Sequence, residues 1–357
     1  MVNLKINNID FEAAEGLTVL DVARSAGIDI PTMCHKDGIP HYSSCMVCMV
    51  KDNRTGNFIP SCSALVQNNM DIDSSGEAVI AMRKRSIEML LSEHRAECEA
   101  PCKVVCPAGY NIPLMNRLLM GMDFEGAIKL SLGQIKTSGL KCIDCQAYCE
   151  NACRRKKIDL PVSIKSLQIF IANQTGIEVN ADTSARTKPE KKFVSRIGKI
   201  EESEMKEWLK ECMDKYDRTR EILTQEDAES ESGSCMHCDC RAIGDCRLRE
   251  IADKFSVKDP QGKLVNSNIE KKINKNTGLI FENAKCIKCG LCVRLCEQME
   301  DEPGLCFINR GFVSIISEPL TVEFDDILKT RSKEVVDFCP TGALSYKCDP
   351  PQGPPSP

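Results

Sequence analysis

The stretch VNLKINNIDF (residues 2–11), followed by TVLDVARSA (residues 18–26), decides the fold of the amino-terminal region. Val2, Leu4 and Ile6 alternate with polar neighbours, and Ile9 and Phe11 resume beyond Asn7-Asn8. That pair suits a tight turn, so the stretch reads as a β-hairpin. Thr18 and Asp21 stand in capping positions for a short helix, which Gly27 ends. A loop carrying Cys34, Cys45, Cys48 and Cys62 comes next.

Cysteine is the other decisive feature, with 23 in 357 residues, most of them two to four positions apart. Met1 opens no secretory signal and no long apolar run follows it, so a disulfide framework is not expected. Spacings of two or three residues are too short for ordinary cross-links but suit thiolates converging on one metal centre. The expectation is a carrier of iron–sulfur clusters; the alternative is a zinc- or cluster-stabilised assembly scaffold without redox role.

The formal charge of −5 leaves no basic surface for nucleic acid. No stretch approaches the roughly 20 apolar residues that span a bilayer, so a soluble, cytoplasmic protein without direct membrane insertion is expected. Aromatic residues are scarce, with Trp208 the one tryptophan, and metal ligation would supplement a small core. There is no Gly-x-Gly. Gly121 and Gly126 have P-loop spacing, but Ala127-Ile128 follow where Lys-Ser/Thr is required. Nucleophile-elbow and His-Glu-x-x-His patterns are also missing. No catalytic site of the chain's own is expected, and NAD or another substrate is expected to bind a partner.

Hairpin, helix and cysteine loop together form the opening of a β-grasp ferredoxin. The plant-type pattern has four residues in its first gap; here His35 to Ser44 make it ten. This spacing resembles the amino-terminal 2Fe-2S domain of the complex I large iron–sulfur subunit and of related NAD-linked hydrogenase electron-transfer subunits. The resemblance implies one 2Fe-2S cluster on Cys34, Cys45, Cys48 and Cys62. His35 and His41 read as surface residues. Near the other end, Cys286-x-x-Cys289-x-x-Cys292 is followed 47 positions later by Cys339-Pro340. VVDFCPTGAL (residues 335–344) again resembles the complex I large subunit and implies one 4Fe-4S cluster on those four cysteines. Cys296 and Cys306 have no evident role.

The middle reads as a graft. An amphipathic helix near 77–93, with Val79, Met82, Ile87, Leu90 and Leu91 at helical spacing, ends at His94. IEMLLSEH (residues 87–94) resembles the complex I segment leading to a cluster with one histidine and three cysteine ligands. Its continuation reappears about 140 residues later, as Cys235-Met-His-Cys238-Asp-Cys240 and then Cys246-Arg-Leu-Arg. These four cysteines either hold a 4Fe-4S cluster alone or yield one place to His94; His237 is a weaker candidate. Between lie Cys98, Cys102, Cys106-Pro107, a helix start at Asn111-Ile-Pro113, Cys149-Glu-Asn-Ala-Cys153-Arg-Arg and PVSIKSLQ (residues 161–168). They resemble the helical amino-terminal domain of the glutamate synthase small subunit, also found in dihydropyrimidine dehydrogenase. That resemblance implies two 4Fe-4S clusters, one of which can take a glutamine ligand at the position of Gln168. Cys98, Cys102, Cys106, Cys142, Cys145, Cys149 and Cys153 with Gln168 make the eight donors two cubanes require. The first cysteine pair of that family is altered here, so the pairing stays open, and His94 could serve this module instead. Arg154 to Lys157 read as a solvated basic face, or else as compensation for cluster charge.

The expected architecture is α+β: a β-grasp 2Fe-2S ferredoxin domain (1–77), a connecting helix (78–97), a helical two-cluster module (98–172), a charged linker with one helix around 200–222 (173–234), a Cys-rich 4Fe-4S segment (235–260), a ferredoxin-like 4Fe-4S domain (261–347) and a disordered tail (348–357). One 2Fe-2S and about four 4Fe-4S clusters would relay single electrons. The resemblances imply two partners: a flavin- and NAD(P)-binding subunit, and a terminal catalytic subunit such as a hydrogenase, a formate dehydrogenase or a bifurcating complex.

Overall fold

The computed structural model describes residues 1–40, 42–94, 98–138, 142, 145–157, 160–174, 221–222, 224–242, 244–257, 271–299 and 302–346. His41, nearly all of the helix expected around 200–222 and the carboxy-terminal tail lie outside the described residues. The chain divides into two compact units. One comprises Met1–Ala96, Lys192–Ile197 and Asp245–Pro357; the other comprises Glu97–Lys191 and Gly198–Gly244.

The first unit opens with β1 (Val2–Ile6) and β2 (Ile9–Ala13), paired antiparallel as Ile6 to Ile9 and Val2 to Ala13. Asn7 and Asn8 both have positive φ, the backbone a two-residue turn between right-twisted strands requires. Helix α1 (Val19–Ser25) follows, started by a complete capping box between Thr18 and Asp21. Strands β3 (Met49–Asp52), β4 (Phe58–Pro60) and β5 (Met70–Asp73) complete a five-stranded sheet in the order β2-β1-β5-β3-β4, with β1 parallel to β5. Val2, Leu4, Ile6, Val50 and Ile72 send their side chains to one core with Val19, Leu20 and Ala23 of α1. This is the expected β-grasp. Helix α2 (Glu77–Glu93) leads away and stops at His94.

The second unit is helical: α3 (Pro101–Val104), α4 (Ile112–Met120), α5 (Phe124–Ser138), α6 (Tyr148–Asn151), α7 (Ile164–Asn173) and α8 (Gln225–Gly233). Asn111 caps α4 through its side chain, with proline in the first turn where a missing N–H costs nothing. Its core joins Met115, Leu119, Ile128, Leu167 and Phe170 to Ala228 of α8, and Cys102, Cys106, Cys149, Cys153 and Cys235 pack against it. Helix α8 lies where the sequence reads as linker. Its capping box, Thr224 with Asp227, was the available signal.

The first unit resumes with α9 (Arg247–Lys254), β6 (Lys271–Ile273), β7 (Leu279–Glu282), α10 (Leu291–Glu297), β8 (Cys306–Ile308), β9 (Ile315–Ser317), α11 (Ser332–Phe338) and β10 (Leu344–Tyr346). Strands β10, β7 and β6 form one sheet and β8 and β9 another, around a core that includes Leu279, Val293, Leu295, Ile316 and Val335.

Candidate iron–sulfur sites

In the amino-terminal domain, Cys34 follows α1, Cys45 and Cys48 precede β3, and Cys62 follows β4. All four thiols are buried. A hydrogen bond from Cys45 draws the Cys34 thiol down to about 5, and one from Cys62 draws Cys48 down to about 7. Sharing those protons with Cys34 and Cys48 pushes Cys45 and Cys62 up. Four sulfurs within reach of one another, trading protons in a dry loop, form a donor set for metal, since thiolate is the ligating form. The Val47 amide donates to Cys45 Sγ at 3.5 Å and Ser43 Oγ lies 3.5 Å from Cys62 Sγ. Polar contacts of this kind tune an iron–sulfur centre.

The ten-residue gap after Cys34 is used for docking against α10. Gln298 Nε2 donates to Gly38 O at 3.1 Å, Ser44 Oγ to Cys289 O at 3.1 Å, and Ile39 enters the carboxy-terminal core. Arg294 lies at the centre of this contact, 1 % exposed. Its Nη2 donates to Cys34 O at 2.9 Å and to Cys289 O at 3.3 Å, and its guanidinium stacks 4.7 Å from the Tyr42 ring. His35, read from sequence as a surface residue, has a side chain only 4 % exposed, because this loop folds against the domain instead of facing water.

In the carboxy-terminal domain, Cys286, Cys289, Cys292 and Cys339 wall one cavity. Burial pushes the Cys286 thiol up to about 12, and the neighbouring Cys339 adds to it. Cys292 is raised as well, by burial and then by Cys289, Cys286 and Cys339. Lys288 takes positive φ, which turns its amide onto Cys286 Sγ at 3.3 Å. Cys296 packs into the core and accepts from the Leu305 amide at 3.3 Å. His94 is buried, with Nδ1 2.9 Å from Lys285 O. A carbonyl only accepts, so Nδ1 carries a proton; in the neutral ring that leaves the Nε2 lone pair for a metal. Cys246 Sγ lies 4.0 Å from Pro340 O in the same unit.

The helical unit holds two further cavities. Cys106, Cys142, Cys145 and Cys149 wall the first, together with Gln168, Tyr110 and Lys165. Cys102, Cys153, Cys235 and Cys238 wall the second, together with Asn116, Arg154 and Arg155. The cavities in the two units are alike in size, 370, 350 and 310 Å³, and each has four thiols around it. Among the described residues no three His, Cys, Asp or Glu side chains gather about a single-ion point; the sulfurs stand around voids.

The cavities group these cysteines differently from their spacing along the chain. Cys235 and Cys238 share a cavity with Cys102 and Cys153 and not with Cys240, while Cys246 belongs to the first unit. Cys98 and Cys240 are buried and joined through their backbones, Cys240 N to Cys98 O at 3.0 Å. Gln168 is 4 % exposed, on the wall of a cavity that already has four thiols, and its Nε2 lies 2.7 Å from Met115 Sδ. His237 is buried, at positive φ. Arg154 to Lys156 are half-buried in a 3-10 turn, and Arg155 donates to Ser234 O, so the fully solvated reading of this run is corrected.

Three segments of the chain match known domain families. Residues 1–77 match the 2Fe-2S iron–sulfur cluster binding domain, residues 82–179 the dihydropyrimidine dehydrogenase domain II with its 4Fe-4S cluster, and residues 279–345 the ferredoxin-like domain of NADH-quinone oxidoreductase subunit 3. Among curated relatives, the putative formate dehydrogenase YrhE of Bacillus subtilis is 25% identical over 46% of this chain and 17% of its own length. The HoxS gamma subunit of the NAD-reducing hydrogenase of Cupriavidus necator is 29% identical over 32% of this chain and 50% of its own. The chain thus covers half or less of the curated relatives it matches. A chain of the NAD+-reducing [NiFe]-hydrogenase shares the fold at a TM-score of 0.50 and 16% identity, covering 99% of this chain and 90% of that one. One 2Fe-2S domain and two 4Fe-4S domains are present.

Proposed function

We propose that this chain is the iron–sulfur electron-transfer subunit of a larger NAD(P)H-linked oxidoreductase. It relays single electrons between a flavin- and NAD(P)-binding subunit and a terminal redox catalyst of the hydrogenase, formate dehydrogenase or bifurcating kind. The observation that carries the reading is the repetition of one site design: four buried or half-buried thiols around a void, three times over, beside the four converging thiols of the amino-terminal loop. Bound there, the clusters supply one-electron redox chemistry at potentials set by the surrounding protein.

The chain's own residues do the rest. Cys34, Cys45, Cys48 and Cys62 hold a 2Fe-2S centre, and Cys286, Cys289, Cys292 and Cys339 a 4Fe-4S centre. Cys106, Cys142, Cys145 and Cys149 hold another, with Gln168 as a wall residue and not a ligand. His94 is a ligand through Nε2, oriented by Lys285 O. Without Gln168 the candidate donors number twenty, which is what five four-ligand centres need, one 2Fe-2S and four 4Fe-4S. Amides aimed at sulfur and the cations Arg294, Arg154 and Arg155 favour the more negative, reduced state. Among the described residues no helix is long and apolar enough to cross a membrane, which suits a cytoplasmic subunit docked on soluble partners.

Iron and acid-labile sulfide on anaerobically purified protein test the reading, with electron paramagnetic resonance (EPR) followed through a reductive titration. About 18 iron atoms per chain and several overlapping reduced signals are expected. Zinc without iron would sink it.

A further inference from the structure

We infer that Cys235 and Cys238 complete a 4Fe-4S site whose other two ligands, Cys102 and Cys153, lie more than 80 residues earlier in the chain. The inference rests on the iron–sulfur reading and adds a ligand set that neither the sequence spacing nor the domain matches specify; residues 235 and 238 fall outside all three matched segments.

Three independent features bring the two pairs together. The first is the shared cavity, walled by these four thiols. The second is the turn itself. In Cys235-Met-His-Cys238 the third residue, His237, has φ 46° and its amide lies 3.4 Å from Cys235 Sγ. In Cys286-Ile-Lys-Cys289 the third residue, Lys288, has φ 51° and its amide lies 3.3 Å from Cys286 Sγ. A non-glycine residue at positive φ is strained, and here both turns accept it to aim an amide at sulfur and present two thiols side by side. The Cys235 turn thus matches a turn in the carboxy-terminal ferredoxin domain in the backbone of its third residue and in the amide that residue turns onto sulfur.

The third feature is the clamp that holds the segment in place. Arg117 on α4 makes a bidentate pair with Asp239, next to Cys238, at 2.8 and 2.9 Å, and both side chains are largely buried. Arg155, two residues beyond Cys153, donates to Ser234 O beside Cys235. Glu231 of α8 accepts from Ser163 N at 2.8 Å. These contacts join the returning segment to α4, to the turn that follows Cys153 and to the start of α7. Cys240 takes no part, because its backbone turns to Cys98 instead.

The test compares iron content and EPR spectra of anaerobically purified full chains: the parent, C102A/C153A, C235A/C238A and the quadruple variant. If the four thiols share one cubane, each double variant loses about four iron atoms and the quadruple loses the same four. A quadruple loss of about eight would overturn the pairing, with the parent's full iron count leaving the electron-relay reading intact. An iron-free parent would overturn both. Serine keeps an oxygen ligand, so C102S and C235S guard against variants that do not fold. Both should perturb one and the same EPR signal; perturbation of two different signals would overturn the pairing.

Discussion

The amino-terminal domain and the helical insert solve the same problem by different means. In the first, a five-stranded sheet and α1 form a core from Val2, Leu4, Ile6, Leu20 and Ile72, and Cys48 and Cys62 are themselves buried members of it. In the insert, half-buried cysteines pack against a core of Tyr110, Met115, Ile164 and Leu167, and Cys102 and Cys149 stand on helices of only four residues. Isolated helices of that length do not hold their shape. We expect the β-grasp to hold its thiols in place without metal and the insert to depend on it in part, since metal-binding free energy is folding free energy.

Removing iron with a chelator under anaerobic conditions is the strongest way to break this contrast. The insert should lose protection, with limited proteolysis cutting within 98–174 and 224–242, while residues 1–77 stay intact. Equal loss of protection in both regions would end the comparison. A smaller effect should come from core truncation. Leu167 and Ile72 are both fully buried, and Leu167→Ala or Ile72→Ala should each cost about 3 kcal/mol in denaturant unfolding. The two should differ in iron: Leu167→Ala loses metal with stability, whereas folded Ile72→Ala keeps its complement.

Arg294 sharpens the comparison from the electronic side. It is a buried cation, and among the described residues its Nε and Nη1 have no hydrogen-bond partner. A buried charge left without a counter-charge is costly, so a negative group must lie within its field; the two thiolate sites whose Cys34 and Cys289 carbonyls it binds are the natural source. Arg294→Gln removes charge that favours the reduced state. The midpoint potential of the 2Fe-2S signal should fall by on the order of 60 mV, a tenfold change for a one-electron couple. An unchanged potential in a folded variant would remove Arg294 from any redox role. Gln168 stands on the wall of a cavity that already has four thiols, so Gln168→Ala should leave iron content unchanged.

The smallest expected effect concerns a local cap. Burial tends to raise the Asp21 carboxyl, but hydrogen bonds from the Thr18 side chain and backbone outweigh it and hold it below its ordinary value. A depressed carboxylate stabilises the fold above its unfolded pKa near 4, and that contribution disappears as pH falls through the folded value. Thr18→Ala should cost about 1 kcal/mol at neutral pH. The gap in melting temperature between parent and variant should narrow on acidification; a constant gap would show that Asp21 is not the partner that matters.

Much of this molecule was legible in its residues. The hairpin around Asn7-Asn8, the Thr18–Asp21 cap, the helix stopping at His94 and the Asn111 cap of α4 are local events decided within a few residues, and all appear in the fold. The 2Fe-2S and ferredoxin-like domains were legible too, because short cysteine spacing is a property of the chain itself. Helix α8 escaped because its composition is polar and charged and only its capping box betrays it. The burial of the His35 side chain escaped because a polar side chain carries no sign of what will fold over it.

What the sequence by itself determined was the identity of the domains and the supply of donors: a β-grasp opening, a ferredoxin-like close, and enough thiols for several clusters. Only the tertiary structure decided which thiols face one another. Cys235 and Cys238 stand two and five positions from Cys240, yet they share a cavity with Cys102 and Cys153. A site with four ligands is a meeting of separate segments in space, and spacing along the chain specifies only the members that one turn can hold. The ten residues after Cys34 make the same point. Their number was plain from the start, but their use, a loop that docks on α10 around Arg294, came into being only when both ends of the first unit folded together.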